Sequence, residues 1–408
     1  MTKTIALVGA LDTKGQDFAF IQAEIERRGF ATCVIDFGVL GDTPFAPTIT
    51  RHEIARMAGT TLEALIAKSD RGEAMRTMSY GLASVLQRLT AENAIHGVMG
   101  MGGGGGTSVA THAMRTLPLG LPKVMVSTVA SGDVSGFVGM SDIVMIPSII
   151  DVNGINRISR RIYSNAIGAI CGMVATDAPL VSQDKPLIAI SMFGNTTRAV
   201  NHAKSLLEAH SYEVLVFHAT GTGGRTMESL IRDRQFVGVL DMTTTEWADE
   251  LCGGVLSAGD TRLEAAAQHA IPQVVVPGCI DMCNFWARNT VPVHYEGRLF
   301  YEWNANITLM RTTPDETAQL GRIFAQKLNQ ATAPVSVHIP MAGVSEIDGV
   351  GKPFYAPDAL IAFRDALKAD LRPDIAVIEH ATHINDKAFV QATVDALLTM
   401  IPNKGLTI

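Results

Sequence analysis

The sequence predicts an α/β protein built from two doubly wound, mostly parallel-sheet, Rossmann-like domains. Three observations predict it. Short β-branched runs alternate with longer amphipathic segments, the signature of parallel α/β architecture. The alternation stops at a polar, proline-bearing segment, residues 176–186, and restarts directly after it. The chain has 408 residues, more than a single core of roughly 250–300 residues accommodates. The expected domains are residues 1–183 and 184–408.

In the first half, residues 4–8 read as a strand, and 17–28 as a helix with apolar Phe18, Ile21 and Ile25 closed by Gly29. Residues 31–35 form the second strand. A long, mostly helical stretch covers 51–90, followed by strands at 97–101, 123–127 and 143–147, a helix at 108–117 and another at 156–173. In the second half, strands are expected at 187–192, 213–217, 236–240, 273–276, 335–339 and 375–378. Helices are expected near 198–209, 227–232, 245–251, 262–269, 315–328, 359–368 and 386–400. Sheets of this kind bind ligands in loops beyond the carboxyl ends of their strands. No repeat of 20–50 residues interrupts the pattern.

Composition excludes several classes. With 33 Lys+Arg against 40 Asp+Glu the net charge is −7, only 18% of residues are charged and 47% are hydrophobic, so a disordered chain is excluded. The acidic balance and lack of basic runs weigh against nucleic acid as a partner. No stretch reaches the roughly 18 apolar residues of a membrane span, and the amino terminus lacks a signal-peptide pattern, so a cytoplasmic location is expected. The five cysteines are spread out and odd in number, which argues against a disulfide framework. The close pair, Cys279 and Cys283, reads as buried thiols.

The chain has 37 glycines, against about 29 at a usual ~7%. Gly102, Gly103, Gly104, Gly105 and Gly106 run together between a strand and a helix, followed by Thr107 and Ser108. Consecutive glycines permit positive φ and bring bare N–H groups close to a ligand, and the following helix points its positive end the same way. Phosphate or another anion is the expected occupant. No Lys-Ser/Thr pair follows, so this is not a Walker loop. Two other strand ends converge on it. Asp12, Thr13 and Lys14 follow the first strand: Lys14 either neutralises phosphate or starts a helix in solvent, and Asp12 suits a hydroxyl or a metal ion. Ser127, Thr128, Ser131, Gly132 and Asp133 form a loop rich in hydroxyl donors, with Asp133 alternatively an N-cap. Asp36 closes the second strand where a ribose-binding carboxylate sits in dinucleotide folds. Jointly these loops favour a nucleotide pocket.

The second half carries another constellation. Gly194, Thr196 and Thr197; His218, Thr220, Gly221, Gly223 and Gly224; and Asp241, Thr243, Thr244, Thr245 and Glu246 each follow an expected strand. Small hydroxyl and glycine residues at three strand ends suggest a polar cavity for an anionic group, to which Asp281, Asn284 and Arg311 add a carboxylate, an amide and a guanidinium. His218, Asp241 and Glu246 are the candidate catalytic residues, His218 and Glu246 as general acid or base; the alternative for His218 is packing under the glycine loop. His380 and His383 have metal-ligand spacing, but no other cluster completes a site, so no metal is assigned.

Four segments carry a resemblance: 98–108 (VMGMGGGGGTS), 125–134 (MVSTVASGDV), 217–224 (FHATGTGG) and 240–246 (LDMTTTE). Together they resemble the family of the amino-terminal ATP-binding region of the tomato mosaic virus resistance protein, which includes many uncharacterised bacterial proteins. The resemblance runs from residue 5 to about residue 389. It implies two α/β domains, self-association into a homodimer or higher homo-oligomer, and ATP, with or without Mg, bound in the amino-terminal half. The phosphates would then lie on residues 102–107, with Thr13, Lys14 and the 127–133 loop around them. The chain departs from the family pattern at Gly104, where serine is expected, at Asn195, where an aliphatic residue is expected, and at Cys279 and Cys283, where Ala and Val are expected. The expected function is ATP binding. The alternative is an enzyme acting on a small carboxylate or phosphorylated metabolite at a second-domain or interdomain cavity, with ATP as co-substrate or regulator.

Overall fold

Strands form here where aliphatic residues run together and can be covered on both faces. The computed structural model describes residues 2–176 and 185–402. The chain divides into two units, Met1–Leu180 and Val181–Ile408; the boundary expected at 183/184 lies outside the described residues.

In the first unit, β1 (Thr4–Gly9), β2 (Ala31–Asp36), β3 (Gly97–Gly102), β4 (Lys123–Ser127) and β5 (Val144–Pro147) form a parallel sheet in the order β2-β1-β3-β4-β5. Alternate side chains supply two cores. Ile5, Leu7, Met99, Val124 and Val126 pack with helices Leu11–Arg27 and Arg157–Ala175. Ala6, Val8, Val98 and Met125 pack with helices Arg51–Met57, Leu62–Lys68, Arg71–Ala91 and Gly104–Met114. The expected 51–90 helix is thus three helices. Thr50, Thr61 and Asp70 each open one by accepting the N–H of Glu53, Ala64 and Glu73, the pairing that N-caps make.

The first helix begins at Leu11, six residues earlier than the apolar spacing predicts, so Asp12, Thr13 and Lys14 lie in its first turn. Gly15 looks like a breaker in the sequence, but a Cβ there would sit 2.1 Å from Cγ of Pro44. Its glycine answers to packing.

In the second unit, β6 (Leu187–Met192), β7 (Glu213–His218), β8 (Phe236–Asp241) and β9 (Gln273–Val275) are followed by β10 (Met282–Phe285), β11 (Phe300–Asn304), β12 (Ile307–Arg311), β13 (Val335–Pro340) and β14 (Ala376–His380). Six of these form a parallel sheet, β14-β13-β9-β8-β6-β7. Ile188, Ile190, Leu240 and Val274 pack under helices Thr197–Ala209 and Lys387–Met400. Val275, Val337 and Ile339 pack under Pro314–Leu328 and Pro357–Asp370. The remaining three strands make a small antiparallel sheet, β10-β12-β11, which the sequence reading missed. The expected 262–269 helix shrinks to Ala265–Gln268, while the one expected at 227 starts at Thr222.

Counted within each unit and leaving out the antiparallel insert, both parallel sheets have the order 2-1-3-4-5, extended by a sixth strand in the second. The order reverses between β1 and β3, and again between β6 and β8. Crevices at such reversals are where open α/β sheets bind ligands. Among the described residues no helix is long and apolar enough to cross a membrane.

Candidate functional site

At the β1/β3 reversal the glycine run does not form a loop. Gly103 is the N-cap, with φ −77° and ψ −170°, and Gly104, Gly105 and Gly106 are the first turn of helix Gly104–Met114. None of residues 102–106 has a positive φ, so the left-handed freedom expected from the sequence is not what these glycines supply. Gly102 is fixed by close approach, since a Cβ there would lie 3.1 Å from Cα of Gly106. The others are different. A Cβ at Gly103, Gly104 or Gly106 would meet nothing nearer than 3.7, 3.9 and 3.8 Å, and one at Gly105 only Met75 at 3.3 Å and the Arg71 guanidinium at 3.6 Å.

Glycine costs about 1 kcal/mol relative to alanine inside a helix, and neither φ nor packing requires it at 104 or 106, whereas at the N-cap, Gly103, glycine is favoured over alanine. The N-cap also has no side-chain hydrogen bond. The first turn of a helix has N–H groups without intrahelical partners, and here they open on a cavity of about 680 Å³. Its wall includes Ala10, Asp12 and Thr13 after β1, residues 37–40 after β2, Gly103, Gly104, Gly105 and Gly106 after β3, and Leu65, Ile66, Arg71, Met75 and Met78 from the helices above.

Of the expected nucleotide-binding residues, Asp12, Thr13 and the four glycines from Gly103 onward share this wall. Lys14, Asp36, Gly102, Thr107, Ser127, Thr128, Ser131, Gly132 and Asp133 lie off it. Each of several has other work. The Thr107 hydroxyl is buried against that of Ser127 at 2.6 Å. Asp36 is buried and accepts the N–H groups of Leu11 and Gly38 at 3.0 and 2.9 Å, and burial pushes its carboxyl above the usual range. Asp133 is exposed and accepts the N–H of Ser135 at 2.9 Å, but the N-cap role open to it in the sequence falls to Val134, which precedes helix Ser135–Val138. The cation on the wall is Arg71, which the sequence reading passed over. Its signal was an Arg directly after Asp70, the N-cap of helix Arg71–Ala91.

The second glycine cluster follows the opposite logic. Gly221 has φ +81°, and a Cβ at Gly221, Gly223 or Gly224 would lie 2.6 Å from the Ser257 carbonyl, 1.9 Å from the His218 carbonyl and 2.1 Å from the Glu246 carboxylate. All three are dictated by the fold. The anion at this helix start is supplied by the chain: Glu246 accepts the N–H groups of Gly221 and Gly224 at 2.7 and 3.0 Å.

Glu246 is one of three carboxylates gathered by Arg262, which is only 1% exposed. Arg262 donates to Asp241 at 2.5 and 2.7 Å, to Glu246 at 2.8 Å and to Glu228 at 3.2 Å. Burial pushes the Glu246 and Glu228 carboxyls up against the lowering effect of Arg262. Burial also works against the Arg262 charge, yet the carboxylates hold it protonated well above its ordinary range. Asp241 accepts from the Ser191 hydroxyl at 2.6 Å as well. The two candidate catalytic carboxylates are therefore committed to an internal ion cluster. Arg262, an isolated residue in the sequence, carries no motif that would have revealed it.

The other second-unit candidates are similarly occupied. Thr196 and Thr243 share a hydroxyl contact of 2.7 Å, Thr244 donates to the Val276 carbonyl and Thr245 to that of Met282. Thr197 donates to the Gly194 carbonyl and Thr220 to that of His218. Asn284 donates to Asp249 at 2.7 Å, and Arg311 to the carbonyls of Phe354, Thr312 and Ala356. Asp281 is buried with its Oδ2 on the Ser345 hydroxyl and its Oδ1 unpartnered. Burial, with Asp348 nearby, raises it to about 7. His218 stands at the exposed end of β7 beside the Phe193 ring, centroids 5.6 Å apart, and desolvation lowers its pKa. His380 contacts His338 at 3.0 Å and His383 the Ser345 carbonyl at 2.8 Å. Among the described residues no group of three or more His, Cys, Asp or Glu is placed to hold a metal. All five cysteines are buried and unpaired.

Fold and cavity together define a protein of two doubly wound α/β units with a candidate ligand site at the sheet reversal of the first. The chain belongs to the uncharacterised protein family UPF0261: residues 3–179 match its N-terminal domain and residues 185–401 its C-terminal domain. A UPF0261 protein of Clostridium tetani is 49% identical over 402 residues, covering 98% of this chain and 100% of that one. The ToMV susceptible protein tm-1(GCR26) of Solanum lycopersicum is 41% identical over 342 residues, covering 82% of this chain and 45% of that one. Among solved structures, a UDP-N-acetylglucosamine 2-epimerase from Rickettsia bellii aligns over 98% of this chain and 96% of that one, at 12% identity and a TM-score of 0.24, and nothing about function follows from a likeness that low.

Proposed function

We propose that the protein binds ATP, with the phosphates on the uncapped first turn of helix Gly104–Met114. One observation carries the reading: Gly104 and Gly106 are glycine without any demand from backbone angle or neighbouring atoms, at a helix start that opens on a cavity. Bare N–H groups and the positive end of a helix favour an anion. Arg71, 3.6 Å from the Cβ position of Gly105, adds a full charge where the chain as a whole is acidic. A cavity of about 680 Å³ lies within the range typical of small-molecule sites. The family resemblance carried by residues 98–108 and 125–134 supports ATP among the possible anions.

Titration of ATP into the full chain by calorimetry tests the reading, with Gly105→Val as the comparison. Saturable binding by the wild type that weakens at least about tenfold in the variant is expected, since a branched side chain at 105 meets Met75 and Arg71. Equal affinity in both would remove the glycine turn from the site.

A further inference from the structure

The cavity has an apolar end that phosphate recognition does not use. Leu40 is 81% exposed and Ile66 is 51% exposed, yet both line it. With Val39, Leu65 and Met78 they form aliphatic walls from two separate segments, the turn after β2 and the helices of residues 62–91. Large apolar side chains left in water at a cavity rim mark surface that a ligand covers.

The sheet order fixes how far this end lies from the glycine turn. The 37–40 segment follows β2 and Gly103 follows β3, with β1 between them. Two strand spacings are about 10 Å, the reach of a polyphosphate and ribose from terminal phosphate to base.

Most polar side chains of the wall have partners within the chain. Asp70 accepts the Glu73 N–H at 2.9 Å, and Asp12 accepts the Leu40 N–H at 2.7 Å through Oδ2. The other Asp12 oxygen has no hydrogen-bond partner but is shut away from solvent, out of reach of a base. Thr13 and Ser69 donate to the carbonyls of Ala10 and Ile66, both at 3.3 Å. Arg71 stands at Gly105, the phosphate end. No side chain of the wall is left to read the hydrogen-bonding edge of a base.

Building on the phosphate assignment above, we infer that the Val39–Leu40 and Leu65–Ile66 walls clamp the nucleobase by its faces, making this a purine nucleotide site that does not distinguish adenine from guanine. Selection then rests on covered area. A site rejects an analogue strongly only where its own buried polar groups would be left unpaired, and none of the four clamp residues has a polar side chain.

Calorimetric titration of ATP, GTP, CTP and inorganic tripolyphosphate into the full chain, its Leu40→Ser and Ile66→Ser variants and the double variant tests the inference. ATP and GTP should bind within about fivefold of each other, and CTP roughly tenfold more weakly, because less ring area is covered. Each serine variant should weaken ATP about tenfold and leave tripolyphosphate unchanged; both positions are exposed, and unaltered thermal unfolding checks the fold. A preference for ATP over GTP beyond about 100-fold, or ATP affinity unchanged in the double variant, overturns the clamp while leaving the phosphate site standing. Loss of tripolyphosphate together with ATP in the serine variants also overturns it. If the wild type binds neither ATP nor tripolyphosphate, the phosphate assignment itself falls and takes the clamp with it.

Discussion

Replacing Gly104 and Gly106 together by alanine should make the ligand-free protein more stable and a poorer binder. Neither glycine has a positive φ. The added methyl groups would lie 3.9 Å from Cγ1 of Val129 and 3.8 Å from the Met101 carbonyl, ordinary contact distances at which nothing has to move. Alanine is favoured over glycine by up to about 1 kcal/mol per helical position, part of it through a less flexible unfolded chain. The first turn realises less than an interior position, so the pair should gain about 1–2 kcal/mol. For a unit of this size that raises the unfolding midpoint by roughly 3–6 °C. Scanning calorimetry or far-UV circular dichroism is the suitable assay, because Trp247, Trp286 and Trp303 all lie in the second unit and their fluorescence would not report the first. The same variant should bind ATP at least about tenfold more weakly, its methyl groups standing beside the N–H donors that anions approach. A fall in the ligand-free midpoint would refute the reasoning, because it would mean the fold itself demands these glycines.

Three further outcomes follow from the two sites. Arg71→Gln should weaken ATP about tenfold, the loss of one charge-assisted contact, while leaving thermal unfolding unchanged at this exposed position; unchanged affinity would take Arg71 out of the site. Arg262→Met should cost the second unit about 3–5 kcal/mol at pH 7.5, the usual consequence of leaving buried carboxylates without their cation, measured by urea unfolding followed by tryptophan fluorescence. The cost should shrink toward pH 5 as those carboxyls take up protons, and a loss below about 1 kcal/mol at both pH values would contradict the buried cluster. Asp281, raised to about 7 against an ordinary 3.8, keeps its proton in the folded state through a window where the unfolded chain has lost it. Its contribution to stability therefore falls as pH rises from about 4 to about 7, by up to about 4 kcal/mol at 1.36 kcal/mol per unit. Asp281→Asn places an amide where Oδ1 has no partner and should flatten that slope; an identical pH profile in the variant would show that the carboxyl is not the cause.

The alternation of strands and helices was legible because buried parallel strands are continuous apolar runs, and helices such as Arg157–Ala175 and Pro314–Leu328 have strong one-sided spacing. Boundaries failed where a residue has two possible meanings. Gly15 reads as a breaker but serves the contact with Pro44, and this hid the true start of helix Leu11–Arg27. The antiparallel insert was missed because its strands are short: β10 and β12 are buried, mostly apolar runs of only four and five residues, and in exposed β11 Tyr301 and Trp303 alternate with Glu302 and Asn304 for just two repeats. The glycine turn, Asp12 and Thr13, grouped in the sequence, share the wall of one cavity. Arg71, Leu40 and Ile66 were not grouped with them, since each sits on an element whose own pattern gives no hint that it faces a cavity at a distant strand end.

The two glycine clusters show why sequence stops short of function here. Both follow a strand, both open a helix, and the two parallel sheets share one strand order. Read as letters, residues 102–106 and 221–224 make the same promise of an anion held on bare N–H groups. The second keeps it internally: Glu246, the first residue of the helix that follows β8, accepts the two N–H groups, and Arg262 balances its charge. A glycine that would drive its Cβ into Glu246 is there for the carboxylate already in place. At residues 103, 104 and 106 no such group arrives, and the space in front of the turn opens on the cavity instead. What separates an open turn from one already filled is thus the identity of whatever the missing Cβ would have touched, and that is a property of distant residues brought together by the fold.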